Sequence, residues 1–127
     1  MTIHIRDAVP DDLGEVLDMM DEMARANRAV ARLSPEALAR QIADSRLGRV
    51  LVAAEAEGLI GYALILAWPD PHSGGTVHEL THLFVREWRR RSGIGRALIA
   101  AAQGAARAEG VETLILGVAN DGFERVA

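Results

Sequence analysis

Residues 83–98, Leu83-Phe84-Val85-Arg86-Glu87-Trp88-Arg89-Arg90-Arg91-Ser92-Gly93-Ile94-Gly95-Arg96-Ala97-Leu98, decide how the chain reads. Leu83-Phe84-Val85 closes a β-like run that begins at Thr76, and an Ala-rich amphipathic pattern predicts a helix from Ile94 to Glu109. Two glycines and a cluster of arginines lie between them. Glycine lets backbone come close to a phosphate, and the free N–H groups of a helix N-terminus point at an anion. Arginine can add paired contacts to phosphate oxygens. Residues 86–96 hold five Arg against one Glu, a local +4; because the chain carries −4 in total, the other 116 residues sum to −8. A basic knot on an acidic body points to a small polyanionic ligand. The acidic total argues against a general nucleic-acid binder, which needs a broad basic surface.

The stretch is not a P-loop, since the G-x-x-x-x-G-K-[ST] spacing is absent and all 14 basic residues are Arg. It is not a dinucleotide fingerprint either. Leu98 stands where a third small residue belongs, and the strand comes late in the chain.

Outward from this stretch, Ile94, Leu98, Ala101, Ala105 and Ala108 predict the buried stripe of the helix, with Gly110 as its C′ residue. Thr113–Val118 predicts the last strand, parallel to strand 76–85 by the crossover rule. Upstream, Val50–Ala54 and Leu59–Trp68 are apolar runs joined by Glu57-Gly58, an antiparallel hairpin buried on both faces. Ile3-His4-Ile5 alternates as a short strand. Pro10, Asp11 and Asp12 start a helix whose stripe is Leu13, Val16, Leu17, Met20 and Met23. Ser34 caps a second helix with Pro35 at its first position and a Leu33–Leu38 staple. The expected fold is α/β (α+β): a mixed, mostly antiparallel sheet flanked by helices, in the order β-α-α-β-β-β-α-β. One domain spans 1–127.

Composition narrows the function classes. With no Cys there is no disulfide framework, thiolate nucleophile or Cys-ligated zinc. No apolar run nears the ~20 residues of a membrane span, and the N-terminus has no signal-peptide core, so a cytoplasmic location is expected. Arg without Lys, with 22 Ala, reads as the coding bias of a GC-rich bacterial genome.

His78-Glu79-Leu80-Thr81-His82 matches H-E-x-x-H, the zinc-protease pattern that places two imidazoles on one helical face. Its flanks are β-like. On a strand the two histidines share a face but stand roughly 13 Å apart, too far to ligate one ion. No metal is expected, and a zinc hydrolase is the least favoured reading.

Leu83-Phe84-Val85 followed by Arg90, Gly93 and Gly95 in a [QR]-x-x-G-x-[GA] pattern resembles the acetyl-CoA motif of the GNAT N-acetyltransferase superfamily. The element order resembles it too, over nearly the whole chain. The resemblance implies an acyl-CoA N-acyltransferase fold and acetyl-CoA as cosubstrate. It implies that Leu83, Phe84 and Val85 form the strand segment whose Leu83 and Val85 backbone pairs with the pantetheine arm. It also implies that amides around Arg91, Ser92, Gly93, Ile94, Gly95 and Arg96 hold the pyrophosphate, and that Asn120 contacts the cofactor arm.

The implied reaction is direct transfer of acetyl from the thioester to a primary amine of a small molecule or protein. Glu79 lies where some members carry a general base, and His82 is the second candidate. Strand parity lets only one of the two face the site. Asp18, Asp21 or Glu22 would attract a cationic substrate. The single Tyr, Tyr62, is expected in the core with its hydroxyl hydrogen-bonded. Family members usually continue through a further helix carrying a Tyr, and then two strands. The shorter C-terminus here predicts an exposed sheet edge and a homodimer paired through it. From another class, the alternative is an acetyl-CoA-binding domain with little or no catalysis.

Overall fold

The computed structural model describes residues 2–26 and 34–117. Its strands are β1 (His4–Asp7), β2 (Gly48–Glu55), β3 (Gly58–Pro69), β4 (Thr76–Val85) and β5 (Leu114–Leu116). Its helices are α1 (Leu13–Ala26), α2 (Pro35–Ala43) and α3 (Ile94–Ala108), with single 3-10 turns at Pro10–Asp12 and Glu87–Arg89. The five strands form one sheet in the order β1-β2-β3-β4-β5. The first three pairings are antiparallel and β4–β5 is parallel, as the crossover through α3 requires. This is the expected element order and fold class.

The sheet is buried on both faces by two separate clusters. Val50, Val52, Tyr62, Leu64 and Phe84 pack with Val16, Met19, Met20 and Met23 of α1 and Leu38 of α2. On the other face Leu51, Ala53, Ala63, Ile65, Leu80, Leu83 and Val85 pack with Ile94, Leu98 and Ala102 of α3. β3 is central and buried on both sides, which explains the near-continuous apolar run of Leu59–Ala67. Among the described residues, no helix is long and apolar enough to cross a membrane.

Three local expectations are adjusted. Pro10–Asp12 forms a 3-10 turn before α1 rather than its first turn. The buried Asp12 carboxylate accepts the Val9 N–H at 2.8 Å and Arg6 guanidinium bonds at 2.7 and 3.2 Å, closing a tight turn. In α3 the buried stripe is Ile94, Leu98, Ala102 and Ala106, so Ala101, Ala105 and Ala108 are displaced from it. An Ala-rich helix has little contrast between faces, and its phase is set by its large side chains, here Ile94 and Leu98 one turn apart. The last strand is described over Leu114–Leu116, shorter than Thr113–Val118, whose Val118 lies outside the described residues.

Caps follow the sequence. Ser34 Oγ accepts the Ala37 N–H at 3.1 Å and Pro35 opens α2, while Leu33, one half of the expected staple, lies outside the described residues. Gly110 is left-handed after α3, with Val111 N–H donating to Ala106 C=O and Gly110 N–H to Arg107 C=O, a Schellman closure.

One irregularity in β4 decides which of its side chains share a face. His82 pairs with Leu64 while Leu80 pairs with Ile65, so Thr81 is an extra, bulged residue. Its hydroxyl donates to Leu64 C=O at 3.2 Å.

Candidate functional site

β4 offers a free backbone edge beyond the bulge. Arg86 N–H donates to Ile60 C=O at 2.8 Å, which fixes the alternation of the antiparallel ladder: His82 and Phe84 turn their amides toward β3. The N–H and C=O groups of Leu83 and Val85 therefore point the other way. On that side β5 pairs with His78–Leu80, and Gly117 N–H donates to Leu80 C=O at 2.9 Å. Among the described residues no strand continues the pairing along Leu83–Val85. β4 and β5 thus fork after Leu80, and the open edge matches an extended chain that can donate and accept hydrogen bonds.

An anion cradle follows this edge. Arg91 and Gly93 both have positive φ, 66° and 85°, and Gly93 is the N-cap of α3 with no side chain capping the helix. The first backbone bond of the helix runs from Ala97 N–H to Gly93 C=O, so the amides of Ile94, Gly95 and Arg96 have no partner within it. Left-handed residues turn successive N–H groups into one concavity, and the helix dipole adds partial positive charge there. Leu83, Phe84, Val85 and the loop Arg90–Arg96 are therefore brought together at one end of β4. Asn120 lies outside the described residues.

The arginines divide in a way that counting charge does not reveal. Arg86 donates to Leu59 C=O at 2.8 Å and ion-pairs with Glu22 of α1. Arg89 ion-pairs with the nearly buried Glu55 of β2 and sits beside the Trp88 ring. Arg90 donates from Nε to Val85 C=O at 2.8 Å and lies 5.4 Å from the centre of the Phe84 ring. These three brace the loop against the sheet, and Arg90 occupies one carbonyl of the open edge. Arg91 and Arg96 are exposed and form no ion pair with a described residue. Of the local +4, Arg86 and Arg89 are thus paired with acids and Arg90 is held against the sheet, which leaves Arg91 and Arg96 as the guanidinium groups without an ion pair among the described residues, beside backbone donors. The same pairing takes Glu22 out of the acids considered for substrate attraction.

The bulge at Thr81 overturns both parity arguments. Glu79 is opposite Leu66 and His82 opposite Leu64, and these β3 residues share a face, so Glu79 and His82 face the same side, toward α1 and α2. His78, opposite Ala67, points to the α3 side, where Nε2 lies 3.9 Å from Glu109. The two histidines of the H-E-x-x-H motif are therefore on opposite faces rather than spaced along one, and cannot share an ion.

His82 is buried, with Nδ1 3.0 Å from the hydroxyl of the fully buried Tyr62. Tyr62 also donates to Met23 Sδ at 3.6 Å, so its hydroxyl is satisfied in the core as expected. Burial raises the phenol pKa. Glu79 is half-buried; its Oε1 accepts the Trp68 indole N–H at 2.8 Å, and its carboxylate lies against Gly117. Trp68 and Gly117 escaped sequence reasoning. Their relation to Glu79 depends on strand register, for which an exposed Trp at the end of an apolar run is the faintest of signals.

A sequence model described as the Acetyltransferase (GNAT) family matches residues 16–127. None of the curated proteins matches the chain. Among solved structures, a ribosomal-protein-alanine N-acetyltransferase from Brucella melitensis biovar Abortus 2308 superposes with a TM-score of 0.84 at 19% identity, covering 100% of this chain and 89% of that one. An aminoglycoside acetyltransferase from an uncultured soil metagenomic sample, in complex with sisomicin, gives 0.75 at 20% identity, covering 98% and 81%. A Trypanosoma brucei acetyltransferase gives 0.72 at 24% identity, covering 99% and 92%. At these identities the likeness is one of fold.

Proposed function

The chain belongs to the GNAT acetyltransferase family, and we propose that it transfers acetyl from acetyl-CoA to a primary amine of a small molecule or protein by direct attack. The observation that carries this reading is the forked edge of β4 running into the open N-terminus of α3. An amide-bearing pantetheine arm fits the outward groups of Leu83 and the N–H of Val85. A pyrophosphate fits the cradle of Arg91, Ser92, Gly93, Ile94, Gly95 and Arg96. When bound, acetyl-CoA supplies an acetyl thioester.

The chain's own residues then have three tasks. The β4 edge and the α3 amides bind and orient. The apolar Leu83 and Val85 side chains, packed against α3, hold the strand rigid beneath the reacting end. Glu79, on the α1/α2 side of the fork, takes a proton from the acceptor so that its nitrogen has a free pair for attack. His82 is the second base candidate, beside Glu79 on the same face. The acceptors named for the two similar bacterial and metagenomic enzymes, a ribosomal-protein alanine and an aminoglycoside, are amines, which is the class proposed here. A single domain over 1–127, a cytoplasmic location and a homodimer through the β5 edge complete the reading. Exposure of Ile115 and Leu116, 47% and 40%, supports the last.

The test is thiol release from acetyl-CoA across a panel holding a polyamine, an aminoglycoside and an Ala-terminated peptide, together with calorimetry of acetyl-CoA binding. Turnover with an amine supports transfer. Binding without thiol release overturns transfer in favour of a cofactor-binding domain. Gly93→Val forces a β-branched residue into φ 85° and should abolish binding; unchanged affinity overturns the cradle.

A further inference from the structure

We propose that Trp68 and Gly117 are positioning residues that hold the Glu79 carboxylate at the β4–β5 fork, an inference that rests on the reading of Glu79 as the base. Trp68, next to last in β3, lies on the same face as Glu79, and its indole N–H donates to Oε1 at 2.8 Å. Half of Trp68 is exposed, so core packing does not account for a Trp here. From the other side, a Cβ on Gly117 would fall 2.3 Å from Oε2, 3.1 Å from Cδ and 3.2 Å from Cγ. The carboxylate fills the space that any other residue would claim. Gly117 is also the residue whose N–H makes the final described bond between β5 and β4, to Leu80. The carboxyl group is thus clamped where the strands part, four residues before the free edge starts at Leu83.

The clamp leaves one oxygen for chemistry. Oε1 is held by the indole, while no hydrogen bond from a described residue reaches Oε2. In the proposed step an acceptor N–H bond breaks and its proton passes to Oε2. The electron pair stays on nitrogen and forms the C–N bond to the acetyl carbon. The C–S bond breaks, its pair leaving on sulfur. A carboxylate free to swing would spend much of its time out of reach, and loss of such placement is costly to rate.

Two substitutions release the clamp without disturbing the core. Trp68→Phe keeps an aromatic ring, though a smaller one, and deletes the N–H. Gly117→Ala puts a methyl where the carboxylate sits, and the group displaced is the far end of a flexible side chain. With the best amine of the panel, each variant should lower kcat by roughly 10- to 100-fold, leaving the KM for acetyl-CoA and the thermal midpoint at wild-type values. A merely structural role moves the midpoint and that KM together with kcat, and this result overturns the proposal. A kcat within twofold of wild type in either variant overturns the role of that residue. Glu79→Gln is run alongside. Loss of kcat in Glu79→Gln but not in the other two overturns the clamp alone; retention in Glu79→Gln, or no turnover at all, overturns the base reading beneath it.

Discussion

The hydroxyl of Tyr62 on β3 and Nδ1 of His82 on β4 lie 3.0 Å apart inside the core, their rings 6.0 Å apart in an edge-on arrangement. The contact exists because the extra residue, Thr81, turns His82 onto the face shared by Tyr62, Phe84 and α1. The same turn aligns His82 with Glu79 and parts it from His78.

Tyr62 should make the protein sensitive to alkali. Its phenol pKa is raised by burial, so the stabilisation is complete below the ordinary value of 10 and is lost as pH rises from there through the folded value. The expected slope is about 1.4 kcal/mol per pH unit above pH 10. With no Lys, no Cys and a single Tyr, few other groups titrate in this range. Urea midpoints at pH 7, 10 and 11 should fall for wild type and stay level for Tyr62→Phe, which at pH 7 costs about 1–2 kcal/mol. Parallel falls in the two proteins contradict this.

Asp12 should act at the opposite end of the scale. The Arg6 hydrogen bonds, aided by the Val9 N–H, lower its pKa below the ordinary carboxylate value, against burial. Its contribution is therefore present above about pH 4 and is lost as pH falls through the folded value. Asp12→Ala should cost about 1–3 kcal/mol at pH 7, and the gap to wild type should be smaller at about pH 3, below the ordinary carboxylate value. Thermal midpoints at the two pH values check this; a gap independent of pH contradicts it.

Arg91 should trade stability against affinity. It is the one described non-glycine residue with positive φ. Arg91→Gly relieves that conformation, which costs about 1 kcal/mol, and should raise the thermal midpoint while weakening acetyl-CoA binding through loss of a free guanidinium. Calorimetry and thermal melts read both signs, and tighter binding in the variant refutes the assignment.

The exposed edge at Ile115 and Leu116 should pair two copies of the chain. Light scattering at micromolar protein should give the dimer mass, and Leu116→Glu should give the monomer. A wild-type monomer at every concentration refutes the pairing.

The element order was readable because each segment has one dominant signal: Ser34-Pro35 for a helix start, Glu57-Gly58 for a hairpin, Gly110 for a helix stop. The Arg90–Arg96 loop was readable because its residues are contiguous. The facing of the β4 side chains was not. Thr81 bears no mark of being a bulge, yet it reverses the faces of His78 and His82. Likewise the partners of Arg86 and Arg89, Glu22 and Glu55, lie 64 and 34 residues away in sequence, so no local charge count shows which arginines are already neutralised.

Along β4 the backbone alternates, the amides of His82 and Phe84 turned toward β3 and those of Leu83 and Val85 toward the fork. The strand therefore keeps two clocks. In deuterated water the first pair should exchange only when the sheet opens, and the second pair much sooner, though both belong to the same buried strand. An extended arm hydrogen-bonded along that edge would slow the fast pair and merge the two rates, so occupancy of the cleft could be timed residue by residue, with no acceptor and no turnover.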